Sequence, residues 1–96
     1  MGEHDRAVRA LIKGTQTENS VDTTRADNVG KYPDPSPIGG EVPDIVFEFS
    51  NGHTTIVEVD TKPMSSHDEK QDEAFRRSAA QRSATSYDHF FVSDVL

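Results

Sequence analysis

The segment running from Pro43 through Asp44, Ile45, Val46, Phe47, Glu48 and Phe49 to Asp60 constrains this chain more than any other. Two runs of β-branched and aromatic residues flank Asn51-Gly52, the pattern of an antiparallel hairpin. Loop length then decides which side chains share a face, because a slip of one residue inverts a strand. A two-residue turn at Asn51-Gly52 pairs Phe47 with Ile56 and Asp44 with Val59, mixing polar and apolar groups on both faces. A three-residue loop, Ser50 to Gly52 with Gly52 left-handed, pairs Phe49 with His53, Phe47 with Thr55, Ile45 with Val57 and Asp44 with Glu58. This register gathers Ile45, Phe47, Phe49, Val57 and Val59 on one face and Asp44, Glu48, Glu58 and Asp60 on the other, so burial selects it.

The flanking sequence supplies the other elements. Glu3 to Lys13 spaces Ala7, Val8, Ala10, Leu11 and Ile12 as a short amphipathic helix, and Gly14 offers a stop. Residues 15–42 are polar and then rich in Pro and Gly, which predicts a long loop with one short extended piece around Thr17 to Thr23. A connection of that length is either functional or disordered. Pro63 ends the second hairpin strand. Ser66 with Glu69 three residues on forms a capping-box pattern, opening a helix to about Ala84 whose apolar stripe is Ala74, Phe75, Ala79, Ala80 and Ala84. Tyr87 to Leu96 reads as a last strand, parallel to Thr55–Asp60 through a right-handed crossover. The expected fold class is α/β, one domain over residues 1–96: helix, β-hairpin, helix, strand, with a small mixed sheet packed by two helices.

Composition bounds the function classes. A chain of 96 residues that is 32% hydrophobic builds one thin core. The absence of cysteine excludes disulfides, thiolate metal sites and cysteine nucleophiles. No run of apolar residues approaches membrane-spanning length, so no membrane partner and a cytoplasmic location are expected. Seventeen acidic against ten basic residues give a net charge of −7, with only four lysines. Such a surface repels itself at low salt and is screened at high salt, which suits a halophilic source. Net acidity ordinarily argues against nucleic acid as a partner, but that argument weakens in a salt-adapted protein.

Four carboxylates on one hairpin face are either a wet surface or a metal site. Opposed like charges destabilise a sheet, so Asp44 facing Glu58 carries a cost that a cation removes. Hard oxygen ligands suit Mg²⁺, Mn²⁺ or Ca²⁺ rather than zinc.

Pro43-Asp44, a hairpin, then Glu58-Val59-Asp60, followed by a helix and an aromatic-rich strand, resembles the PD-(D/E)XK superfamily of restriction-endonuclease-like nucleases and resolvases. In order of elements the resemblance covers residues 3–94; in motif it covers 43–62. It implies a catalytic Mg²⁺ or Mn²⁺ held by Asp44 and Glu58, with Glu3 of the first helix as a further carboxylate, and DNA or RNA as partner. The family's lysine two residues after the second acid is replaced here by Asp60. Lys62 or Lys70 is then the candidate replacement, and Asp60 an added metal ligand. Arg76, Arg77 and Arg82 form a basic patch on the second helix that, in such a fold, approaches phosphates. The four histidines are scattered over four elements and read as surface or loop residues. The alternative function is a non-catalytic domain that binds a protein partner or a second copy of itself through its sheet edge or Phe90-Phe91.

Overall fold

The computed structural model describes residues 1–96 and shows a mixed α/β fold. Its elements are α1 (Glu3–Glu18), β1 (Val21–Ala26), β2 (Ile45–Phe49), β3 (Thr54–Asp60), α2 (Ser66–Gln81), β4 (Thr85–Phe91) and a terminal turn of helix, α3 (Val92–Val95). One four-stranded sheet has the order β1-β2-β3-β4. The first three strands are antiparallel, and β4 runs parallel to β3 after the α2 crossover.

The hairpin adopts the register that burial selects. Ile45 pairs with Val57 and Phe47 with Thr55, and the Phe49 amide donates to the His53 carbonyl across the three-residue loop. Gly52 has φ +89°, the left-handed conformation this loop needs. Ile45, Phe47, Val57 and Val59 are buried beneath α1, joined by Ala7, Val8 and Ile12. The opposite face packs Val46 and Ile56 against Phe75 and Ala79 of α2, with Ile38 closing the edge.

Several boundaries differ from expectation. Gly14 does not end α1, which runs one further turn to Glu18. A mid-helix glycine costs about 1 kcal/mol, but the last turn is tied down from outside, with Gln16 Nε2 donating to Thr24 Oγ1 of β1 at 2.9 Å. The expected loop over residues 15–42 therefore contains the end of a helix and a complete third antiparallel strand. That strand, β1, begins near the end of the short extended piece expected at Thr17 to Thr23 and carries a bulge between Val21 and Thr23. Its polar, threonine-rich pattern hid it, since Thr24 and Ala26 are its only buried residues.

The connection 27–44 is packed rather than loose. Val29 enters the core under α1 and Ile38 the core under α2, so the segment wraps one end of the sheet from face to face. Gly39, at φ +61°, lies against α2, where an added Cβ would sit 3.1 Å from Ser78 Oγ. The second helix is capped one residue earlier than expected, by Ser65 with Asp68 in a reciprocal box, and stops at Gln81. The last strand is likewise displaced, spanning Thr85–Phe91, and Val92–Val95 turn helical. Ala80 and Ala84 of the expected stripe are exposed.

Candidate functional site

The C-terminal end of β3, the start of β2, the first turn of α1 and the first turns of α2 converge at one end of the sheet. There they enclose a cleft of about 420 Å³ lined by His4, Asp27, Asp44, Glu58, Asp60 and Asp68, with Gln71 at its wall. Pro43 is buried and anchors the residue beside it. The register places Asp44 across from Glu58, and backbone amides brace the pair reciprocally. The Asp44 N–H donates to Glu58 Oε1 at 3.0 Å, and the Val59 N–H donates to Asp44 Oδ2 at 2.8 Å.

The acids of this face are not its wet side, as one of the two sequence interpretations had it. Glu58 is only 4% exposed and Asp60 7%, because α2 and the 27–44 connection cover them; Glu48, further along β2, is exposed. Burial pushes the Glu58 carboxyl well above its usual range, and the adjacent Asp44 charge pushes it further. Burial also raises Asp60, opposed by a hydrogen bond with His89 Nε2 at 2.9 Å.

Two histidines enter the site that their scattered sequence positions concealed. His4 Nε2 lies 2.9 Å from the Val59 carbonyl oxygen and 3.3 Å from Asp44 Oδ2. A carbonyl only accepts, so Nε2 carries a proton and donates to both. The hydrogen bond to Asp44 raises the His4 pKa to about 9; partial burial opposes this and the Asp44 charge adds to it. The carboxylate thus favours the protonated form of His4 in the metal-free protein. His89 reaches Asp60 because parallel pairing sets it beside Glu58 on β3. Neither contact has a local signal, since His4 and Asp44 are forty residues apart.

The remaining candidates lie elsewhere. Glu3 is exposed and does not line the cleft; one residue is 100° of helix rotation, and it is the next side chain, His4, that turns inward. No lysine lines the cleft either. Lys62 is exposed, with Nζ 4.7 Å from the centre of the Phe91 ring. Lys70 is exposed on α2, and its neighbour Gln71 faces the site, donating to Glu41 Oε2. Arg76 pairs with Asp72 and lies over Tyr87, and Arg77 pairs with Glu73, so two of the three patch arginines are neutralised within their own helix. Arg82 caps the end of α2.

No three His, Asp or Glu side chains come together closely enough to enclose a metal ion. Of the expected ligands, Asp60 is held by His89 and Asp44 by His4 and the Val59 amide through Oδ2 alone, so Asp44 Oδ1 and Glu58 Oε2 are the oxygens left for a cation. Two carboxylates fit Mg²⁺ or Mn²⁺, because such ions keep several waters and take one or two carboxylates together with phosphate oxygens. No family model, curated protein or solved structure matches the chain.

Proposed function

We propose that this chain is a minimal restriction-endonuclease-like domain that binds Mg²⁺ or Mn²⁺ at Asp44 and Glu58 and acts on the phosphodiesters of DNA or RNA. The observation that carries this is the Asp44–Glu58 pair at the open end of the sheet, with Glu58 buried and Asp44 partly buried. Placing one carboxyl out of water beside another is unfavourable unless a proton or a cation joins them. A bound divalent ion supplies a Lewis acid for the phosphoryl oxygen and lowers the pKa of an attacking water.

The chain's own side chains have separate tasks. Asp44 is fixed by the Val59 amide, and Glu58 by the Asp44 amide, so neither carboxylate must reorganise to bind. Asp60 stands where the resembled motif has lysine. His4, held at the cleft by Asp44 and the Val59 carbonyl, is the basic side chain that stands in for that lysine. Placed there, it stabilises negative charge developing on a phosphate. The alternative interpretation, a protein-binding domain, has the unpaired outer edge of β4 in its favour.

Amide NMR spectra in strong KCl, recorded while Mn²⁺ is added, test the assignment. Broadening at low Mn²⁺ should centre on His4, Asp44 and Glu58, disappear in Asp44→Asn while the fold persists, and be followed by metal-dependent cleavage of DNA or RNA. Diffuse broadening across the acidic exterior would remove the metal centre and turn attention to the β4 edge.

A further inference from the structure

A second cleft, of opposite sign to the acidic one, is built from α1 and the 27–44 connection. A cavity of about 400 Å³ is lined by Arg9, Ile12, Lys13 and Gln16 of α1 and by Lys31 and Tyr32 of the 27–44 connection. No carboxylate is among these residues, in a chain where acids outnumber bases seventeen to ten. Lys13 and Lys31 form no ion pair, and Arg9 only approaches Asp5, at 4.0 Å. The Lys31 ammonium sits 5.8 Å from the centre of the Tyr32 ring. Three cations facing one hollow repel one another, and an anion seated there relieves them.

The two clefts have no lining residue in common but draw on the same two elements. α1 brings His4 to the acidic one and Arg9 and Lys13 to the basic one; the connection brings Asp27 to the first and Lys31 and Tyr32 to the second. At 1.5 Å and 100° per residue, Arg9 and Lys13 lie roughly 8 and 14 Å along the helix from His4 and about 140° and 180° around it. The arginines of α2 lack this relation, being largely paired with carboxylates.

We infer that Arg9, Lys13 and Lys31 seat the backbone phosphates of a nucleic-acid strand whose neighbouring phosphodiester lies in the acidic cleft, with Tyr32 as the wall against which the strand packs. The inference rests on the nuclease-like function proposed above and specifies where its substrate is held.

Fluorescence anisotropy of a short labelled single-stranded DNA, over a series of KCl concentrations, tests it with three proteins: the wild type, Arg9→Ala/Lys13→Ala/Lys31→Ala and Arg76→Ala/Arg77→Ala/Arg82→Ala. The substituted cations are all exposed, and the amide spectrum checks that each variant folds. For the wild type, three phosphate contacts give a slope of log affinity against log salt of about −2. The first variant should lose at least about tenfold in affinity at low salt and most of that slope, while the second stays close to wild type. Unchanged affinity and slope in the first variant overturns the inference; if the second variant loses binding instead, the nuclease-like function survives and only this placement falls. A wild type that binds no DNA despite site-specific Mn²⁺ broadening overturns both the nucleic-acid assignment and this surface. DNA binding that depends on Arg9, Lys13 and Lys31 without site-specific Mn²⁺ broadening supports this surface and removes the metal centre alone.

Discussion

The two faces of β3 divide the molecule's work. The face toward α1 is apolar beyond Thr55: Val57 and Val59 join Ile45 and Phe47 in the larger core. The face toward α2 is apolar only at one end, where Ile56 meets Phe75 and Ala79; at the other end it presents Glu58 and Asp60, buried and polar. Alternating side chains of one strand thus serve packing on one side and, past Ile56, a charged site on the other. The larger core carries the stability that lets the smaller face retain a buried acid pair.

Substitutions on the two faces should differ in sign. Phe47→Ala, at 2% exposure, removes the largest side chain of the α1 face and should destabilise by about 3–5 kcal/mol. In a domain this small that abolishes cooperative unfolding, which thermal denaturation by circular dichroism would show. A mild shift of the midpoint would mean that the α1 face is not the principal core.

Glu58→Gln should act oppositely in metal-free buffer. The amide still accepts from the Asp44 N–H and offers a donor to the Asp44 carboxyl, so the variant should gain roughly 1 kcal/mol near neutral pH. It should also lose Mn²⁺ binding. A loss of stability comparable to that of Phe47→Ala would show that Glu58 is a structural acid.

The pH dependence sharpens the same contrast. Glu58 and Asp60 have raised folded pKa values, so between the unfolded and folded values the native state holds protons that the unfolded chain has released. Stability therefore falls as pH rises above the ordinary carboxylate range. His4, raised from 6.5 to about 9, adds a second decline of the same sign across that window. Metal-free melting temperatures measured from about pH 5 to 9 should decrease, and Glu58→Gln should make the decline shallower across that whole range, leaving the His4 contribution above about pH 6.5. Mn²⁺ should stabilise increasingly as pH rises, because it competes with the Glu58 proton. A flat metal-free profile would contradict the burial of the pair.

The smallest effect lies away from both faces. Ser65→Ala removes the side chain that accepts from the Asp68 amide at 3.0 Å and should cost about 1 kcal/mol. The same loss from Ser66→Ala would place the cap where the sequence pattern alone suggested it.

The hairpin, its three-residue loop and the meeting of Asp44 with Glu58 were all legible in the sequence. Each follows from local physics: β-branched runs, a glycine able to turn left-handed, and a period of two that separates apolar from acidic side chains. The parallel β4 followed from the length of the crossover helix. None of those signals reaches across the chain. β1 was legible only as a short extended piece around Thr17 to Thr23, because its pairing with β2 satisfies a polar backbone whose side chains carry little apolar pattern, and Gly14 remained helical because Gln16 grips Thr24 from another element.

What the sequence determined by itself was an acidic α/β domain without cysteine and with two carboxylates opposed on a strand pair. Only tertiary structure decided that Glu58 is buried and Asp44 partly so, that His4 rather than Glu3 faces them, that Asp60 is held by His89, and that Arg9, Lys13 and Lys31 line one hollow. Strand register is written in neighbouring residues, whereas burial and long-range hydrogen bonding depend on how helices and connections close over the ends of the sheet.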